Sequence, residues 1–433
     1  MFLLIRRIQP LDLFTNPIFI SKIVKEEKLF LQTLSVASQD NPIYLNLLNK
    51  YLKKNTLESL IGTQSQEKNE EEEAFGIEKL VANPLHIFSL FYRLFILLPS
   101  IAKELNEMKD DPGPPQATKD FIISPRINDI SQDDLVGVTF ALIRIQRVYE
   151  LDTYDMAMGR LGTRQTNARL SAEELYEIVK ILYYGSDRTI IGLGIEYALT
   201  ITWLEGTIRL SVEDNLQKKF IEEIKMLLLE IQDKHDKHFQ KPWAGQNRAH
   251  VTDEHEGTIN SYDRTQSSAW LDDEEYPNLQ KISKYFATVT QLSISASIKD
   301  FLTVESENYQ IGLYSPGGVY LPHMDTFNMH QAFLNSNNDY VGNRIATLML
   351  YLSNVDGGGT AFTDIGKVAY PRKGSSVFWF NLFSDGEIDI NLTHGACPTM
   401  YGVKWVLNKW IRSYGQIFRQ TLSSTKKSKN EII

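Results

Sequence analysis

With 433 residues and 42% hydrophobic side chains, the chain is longer than one core usually organises, so two or three domains of an ordinary soluble protein are expected. A formal charge of -9 excludes the basic surface that a broad nucleic-acid footprint needs. The single cysteine, Cys397, excludes an internal disulfide framework and a cysteine-based zinc finger.

The opening string MFLLIRRIQPLDLF places arginines and a proline after a short apolar run, which makes a poor secretory h-region, so no compartment follows from it. From residue 16 to about residue 108 the apolar spacing is helical, broken by an acidic low-complexity run at 65–73 that reads as a solvated loop. The longest apolar stretch, residues 85–102, contains His86, Arg93 and Pro99. A buried or amphipathic helix fits it, and no membrane span is expected. Pro112, Pro114 and Pro115 open a polar stretch that reads as a linker, with a domain boundary near residues 109–130.

Helical patterning resumes over residues 135–239, with breaks expected at 159–167, at 185–187 and around Gly206. Ser171 followed by Glu174 is a capping-box start. Such paired short helices resemble tetratricopeptide units, and a plain helical bundle is the equal alternative. After Trp243 the pattern turns to strands. Residues 345–352 read as a strand buried on both faces, ended by the glycines at 357–359, and 376–381 and 403–411 read the same way. The C-terminal third is therefore β, as a barrel or jelly roll.

The chemistry gathers in that third. In GGVYLPHMDTF, His323 and Asp325 are two residues apart and share one side of an extended strand, and His394 follows 71 residues after His323. Two imidazoles and one carboxylate are the facial triad of non-heme iron(II) oxygenases, which leaves three adjacent positions open. A 2-oxo acid can chelate through two of them and dioxygen can take the third; zinc is the competing metal for the same ligands. Lys404 lies ten residues beyond His394, on a strand face shared with Val406, Asn408 and Trp410, where an unpaired ammonium is costly and an anionic partner is required. Other candidates have plainer readings. His330 reads as a loop histidine, and His235, His238, His250 and His255 read as a solvated face. The sequon at Asn391 abuts a metal ligand inside a strand motif, so it is expected to stay unmodified.

The order His-x-Asp, distant His, then Lys is similar to the 2-oxoglutarate-dependent prolyl hydroxylases. The strings GNRIAT, KGSSVFWFNL, HGACP and KWVLNKW, with SSAWLDDEE, VANPLHIFSLFYRL and DDLVGVTFALIRIQRVYELDT, resemble the collagen prolyl 4-hydroxylase alpha subunit over nearly the whole chain. That resemblance implies an α+β chain in three parts. They are a helical assembly domain at 1–108, a helical tetratricopeptide-like peptide-binding domain at 131–240, and a double-stranded β-helix, or jelly-roll, dioxygenase domain at 246–420. It implies Fe(II) on His323, Asp325 and His394, 2-oxoglutarate paired with Lys404 and bonded by Tyr314, and L-ascorbate. The implied substrate is a collagen-like or proline-rich peptide held by Tyr183 and Tyr184, for which core packing is the plain alternative. The implied partner is protein disulfide isomerase as beta subunit of an oligomer in the endoplasmic reticulum lumen, with neither nucleic acid nor membrane bound.

The chain also departs from the family it resembles. Residues 232–246 are too short for the family's cysteine-bearing stretch with its early strand, QIFRQTL replaces a cysteine-terminated ending, and Leu321 and Met324 flank the metal motif in place of an acidic and an aromatic residue. The missing stretch supports the alternative of a catalytically weak or inactive subunit that binds proline-rich peptides or partners.

Overall fold

The computed structural model describes residues 16–39, 41–52, 70–107, 116–122, 124–184, 193–239, 265–273, 275–294, 305–327 and 342–416. Its contacts cluster into two compact units whose principal segments are residues 18–260 and 261–433. The boundary expected near 109–130 falls inside the first unit, and the expected linker contains the helices Gln116–Ile122 and Pro125–Asn128. Proline explains the second of these, because a fixed φ and a missing N–H suit the first helical turn as well as a loop.

The first unit is helical, and its starts are written locally. Helices Pro42–Tyr51 and Pro84–Tyr92 each begin with an Asn-Pro pair, in which the Asn41 and Asn83 side chains accept from the N–H of Ile43 at 2.9 Å and of Leu85 at 3.0 Å. The expected capping box is present at Ala172–Tyr184, where the Ser171 N–H donates to Glu174 at 2.7 Å and the Glu174 N–H donates to Ser171 Oγ at 3.3 Å. The break at 159–167 is a small hairpin, β1 (Arg160–Leu161) paired with β2 (Arg164–Gln165). The break expected at Gly206 does not exist, because helix Leu193–Glu213 runs straight through it. A Cβ on Gly206 would lie 2.9 Å from Thr153 Cγ2, so the glycine serves close approach to helix Thr153–Ala157 rather than a turn.

Among the described residues one helical run, Pro84–Leu105, is long and apolar enough to cross a membrane, with a mean hydropathy of 1.7. More than half of that window, 56%, is buried inside the protein. It is a core helix by its contacts, for Arg93 donates to both oxygens of Glu27 at 2.8 and 2.9 Å and Tyr51 donates to Glu27 at 2.8 Å. The buried charges neutralise each other there.

The second unit carries the strands β3 (Ser267–Leu271), β4 (Tyr309–Tyr314), β5 (Tyr320–His323), β6 (Arg344–Tyr351), β7 (Asp356–Gly357), β8 (Thr360–Phe362), β9 (Lys367–Ala369), β10 (Ser376–Phe380), β11 (His394–Ala396), β12 (Thr399–Tyr401) and β13 (Lys404–Arg412). They form a five-stranded sheet in the order β10-β6-β13-β4-β3, a four-stranded sheet in the order β5-β11-β8-β9, and the pair β12-β7. Tyr314, Met349, Tyr351 and Val406 from the first sheet share one core with Phe362, Tyr320 and Ala396 from the second, so the two sheets pack face to face. The other face of the larger sheet is covered by helix Pro277–Thr290, whose Leu279 and Phe286 meet Leu407 and Ile411. Strand β13 is therefore buried on both faces, which accounts for its near-continuous burial.

On the helix-facing side of β13, Lys409 is fully buried and donates to Asp273 at 2.7 Å, while Ser283 donates to the other Asp273 oxygen at 2.6 Å. Replacing Asp273 with Ala strands a buried ammonium, and we expect a loss of about 3–5 kcal/mol in denaturant unfolding. The double variant Asp273→Ala, Lys409→Met should recover most of that loss; equal losses in the single and double variants would locate the effect elsewhere.

Candidate metal centre

Strands β5 and β11 pair antiparallel with His323 directly opposite His394. Asp325 is not on the strand as the sequence reading has it, since β5 ends at His323 and Asp325 sits in the bend that follows. The bend is fixed from β6, where Arg344 donates to the Asp325 carbonyl at 3.3 Å and the Asn343 amide bonds both the N–H and the carbonyl of Phe327 at 3.0 and 3.3 Å. Turned inward this way, Asp325 Oδ1 lies 3.6 Å from His323 Nε2 and Oδ2 lies 3.5 Å from His394 Nε2. All three side chains offer a donor atom within 4.8 Å of the others.

Both imidazoles are oriented by the same local device. Each Nδ1 faces the carbonyl two residues earlier, His323 to Leu321 at 2.8 Å and His394 to Leu392 at 3.0 Å. A carbonyl can only accept, so Nδ1 carries a hydrogen in both rings, and Nε2 is the atom that faces Asp325 and can ligate. Burial pushes the His394 imidazole down despite the opposing carboxylate, which keeps it neutral and able to ligate. Burial alone would raise Asp325, but His394, His323 and Arg344 hold it well below the usual carboxylate range. Tyr320 stacks on His323 at 3.6 Å between ring centroids, and Trp379 meets His394 edge-on at 4.7 Å.

The triad opens into a cleft lined also by Tyr314, Thr360, Trp379 and Lys404. Lys404 is 1% exposed, and among the described residues no carboxylate pairs with it. Its ammonium lies 4.9 Å from the Tyr314 ring and 5.7 Å from the Tyr351 ring. Burial pushes it down to about 8, with Cys397 opposing only in part. A buried cation facing a cleft with no anion of its own is a place for one to bind.

Two family models match the chain, the 2OG-Fe(II) oxygenase superfamily over residues 309–412 and the prolyl 4-hydroxylase alpha-subunit N-terminal region over residues 20–163. The first span contains all three triad residues and Lys404. Prolyl 4-hydroxylase subunit alpha-1 of Rattus norvegicus is 38% identical over 178 residues, which is 40% of this chain and 31% of that protein. The Homo sapiens protein of the same name is 39% identical over 160 residues, 36% of this chain and 28% of its own. Over the matched residues the chain is similar to the prolyl 4-hydroxylase alpha subunits. It matches about a third of the length of these curated relatives. A solved viral collagen prolyl hydroxylase from Paramecium Bursaria Chlorella virus-1, in complex with 2OG, is 24% identical over 34% of this chain and 79% of its own, with a TM-score of 0.28.

Fe(II) and 2-oxoglutarate are the cofactors of this superfamily, and the side chains gathered here fit them. Two imidazole nitrogens and one carboxylate suit Fe(II), and the buried Lys404 ammonium, which pairs with no carboxylate among the described residues, suits a dicarboxylate. The sequence reading missed the residues that hold Asp325, namely Arg344, Asn343, Thr347 and Asn381. Thr347 donates to Asp325 Oδ2 at 2.7 Å and accepts from the Asn381 amide at 2.9 Å. The available signal was a polar residue at the cleft-facing position of an apolar strand.

Tyr183 and Tyr184 end helix Ala172–Tyr184 in the helical unit, with rings 4.7 Å apart. Tyr183 donates to Glu230 at 3.0 Å, whereas Tyr184 is 64% exposed. The core-packing alternative does not hold for Tyr184. Asn391 lies in the 3-10 turn Ile390–Leu392 rather than in a strand, and its amide donates to Asp389 at 2.8 Å. His250, His255 and His330 lie outside the described residues, as do the side chains of His235 and His238.

The Lys404 shift fixes a sign for stability. Its folded value, about 8, lies below the ordinary 10.5, so within that window the unfolded chain binds more protons and stability rises with pH. Below that window both states are charged and the burial penalty stands in full. Denaturant unfolding of the metal-free protein from about pH 7 to pH 10 should show this rise, and Lys404→Met should flatten it while raising stability at neutral pH. A rise of the same size in the variant would assign it to another group.

Proposed function

We infer that the chain 4-hydroxylates peptidyl proline in collagen-like or proline-rich sequences and couples this to oxidative decarboxylation of 2-oxoglutarate to succinate with O2. One observation carries the reading: His323, Asp325 and His394 converge in a cleft that also contains a buried Lys404, paired with no carboxylate among the described residues. When bound, Fe(II) with 2-oxoglutarate supplies the oxidising power that an unactivated C–H bond requires. The chain's own side chains do the rest. His323, Asp325 and His394 hold the metal on one side and leave the cleft side free. Lys404, with Tyr314 beside it, binds the far carboxylate of 2-oxoglutarate and so orients its other end toward the triad. Met349, Trp379 and Val406 wall the cleft with apolar surface that limits water. L-ascorbate would keep the metal reduced.

The two facing sheets support a double-stranded β-helix, or jelly roll, and the paired helices over residues 131–240 support a tetratricopeptide-like peptide-binding domain. In that domain the exposed Tyr184 presents a ring suited to a polyproline II peptide, with Tyr183 beside it. The same proposal includes assembly through residues 1–108, in keeping with the match of residues 20–163 to the alpha-subunit N-terminal region, and takes protein disulfide isomerase as beta subunit in the endoplasmic reticulum lumen.

Succinate release with Fe(II), ascorbate and a proline-rich peptide tests the reading, and release dependent on the peptide is expected. Peptide binding without turnover on the same preparation would sink it in favour of an inactive subunit. Replacing His323, Asp325 or His394 with Ala should each abolish turnover, because two ligands cannot hold the metal in an open site. Substantial residual activity in any one would remove that residue from the ligand set.

A further inference from the structure

We propose that Thr347, with its hydroxyl oriented by Asn381, is a positioning residue that commits Oδ2 of Asp325 to the protein and leaves Oδ1 to bind the metal. The proposal rests on the metal-binding reading of His323, Asp325 and His394. It is carried by three buried side chains in a line. Thr347 is 2% exposed, Asn381 4% and Asp325 6%, and their polar atoms meet at 2.9 and 2.7 Å.

The polarity of this line is forced by the groups themselves. An amide N–H can only donate, so the Asn381 nitrogen occupies a lone pair of the Thr347 oxygen. The threonine has one proton, and the ionised carboxylate can only accept it, so that proton lies on Asp325 Oδ2. Asn381 is itself fixed by the backbone, since its N–H donates to the Ile345 carbonyl at 2.8 Å and its carbonyl accepts from Asp389 at 3.0 Å. Thr347 and Asn381 come from β6 and from the residue just after β10, neighbouring strands of the larger sheet, so a rigid sheet sets the carboxylate's rotation. A carboxylate with one oxygen engaged binds a metal through the other. Single-oxygen ligation keeps the triad to three donors and the remaining positions open, whereas two-oxygen ligation would occupy one of them.

The test is titration of the metal-free full chain with Co(II), followed by visible absorption, on wild type, Thr347→Val, Thr347→Ser, Asn381→Asp and His394→Ala. Thr347→Val keeps the shape and removes the proton, and should weaken Co(II) binding by about 10–100-fold, the range seen when residues that orient a ligand are removed. Thr347→Ser keeps the hydroxyl and should stay near wild type. Asn381→Asp turns the donor into an acceptor that competes for the threonine proton, and should weaken binding as Thr347→Val does. The 2-oxoglutarate affinity at saturating Co(II) should remain unchanged in Thr347→Val, because Lys404 is untouched. Wild-type Co(II) affinity in both Thr347→Val and Asn381→Asp, with His394→Ala losing the metal, overturns the proposal and leaves the metal reading standing. If Thr347→Val does not fold, the contrast between Thr347→Ser and Asn381→Asp decides, and equal affinities overturn the proposal. Wild-type Co(II) affinity in His394→Ala would instead overturn the metal reading on which the proposal rests.

Discussion

The backbone pairing that sets His323 opposite His394 is the constraint from which the rest of the cleft follows. It requires β5 and β11 to lie very close, and Gly395 shows how close. A Cβ there would fall 2.8 Å from the Tyr320 carbonyl and 3.1 Å from the Pro322 nitrogen, so no other residue fits between the two histidine-bearing strands. With the strands in this register the imidazoles face each other at 4.5 Å between centroids, and the carbonyls two residues back select the same tautomer in both. Asp325 then needs only to be turned inward by one bend. The two histidines are thus placed by backbone pairing, while Asp325 is placed by the side-chain bonds that fix its bend.

Strand β13 makes a second contribution by carrying two buried lysines on opposite faces. Lys409 faces helix Pro277–Thr290 and finds Asp273, while Lys404 faces the cleft, where the described residues offer it no carboxylate. Burial lowers both, yet only Lys409 has an acid that offsets the cost. Each lies over a tyrosine of β4, Lys409 at 4.3 Å from the Tyr309 ring and Lys404 at 4.9 Å from the Tyr314 ring. The strand's alternation therefore separates a structural cation from one held ready for a ligand.

Spacing along the chain was enough to find the residues that the cleft gathers, because the His-x-Asp pair, the later histidine and the lysine all lie on or just beyond regular strands whose period is readable. Capping at Ser171 was readable for the same reason, being settled within four residues. What depended on distant partners was not. Gly206 looks like a helix break until Thr153 is seen against it, and the clustering of both expected helical parts into one unit over residues 18–260 reflects long-range contacts that no local composition reports. Thr347 and Asn381 are ordinary polar residues in strand sequences, and they acquire meaning only once the bend has brought Asp325 to them.

The charges of the cleft show why metal and co-substrate belong together. Asp325 and Lys404 are the formally charged residues of its lining if both histidines are neutral, and they nearly cancel. A divalent cation added alone leaves an excess of positive charge in a largely buried space, and a dicarboxylate added alone leaves the opposite excess beside Asp325. Bound together they restore neutrality, so each lowers the electrostatic cost of the other in a medium where uncompensated charge is expensive. The anion also meets Lys404, which raises the ammonium back toward its ordinary range and removes the penalty that the metal-free fold carries at neutral pH. Strain stored in one unpaired lysine is in this way converted into affinity for the group that completes the centre.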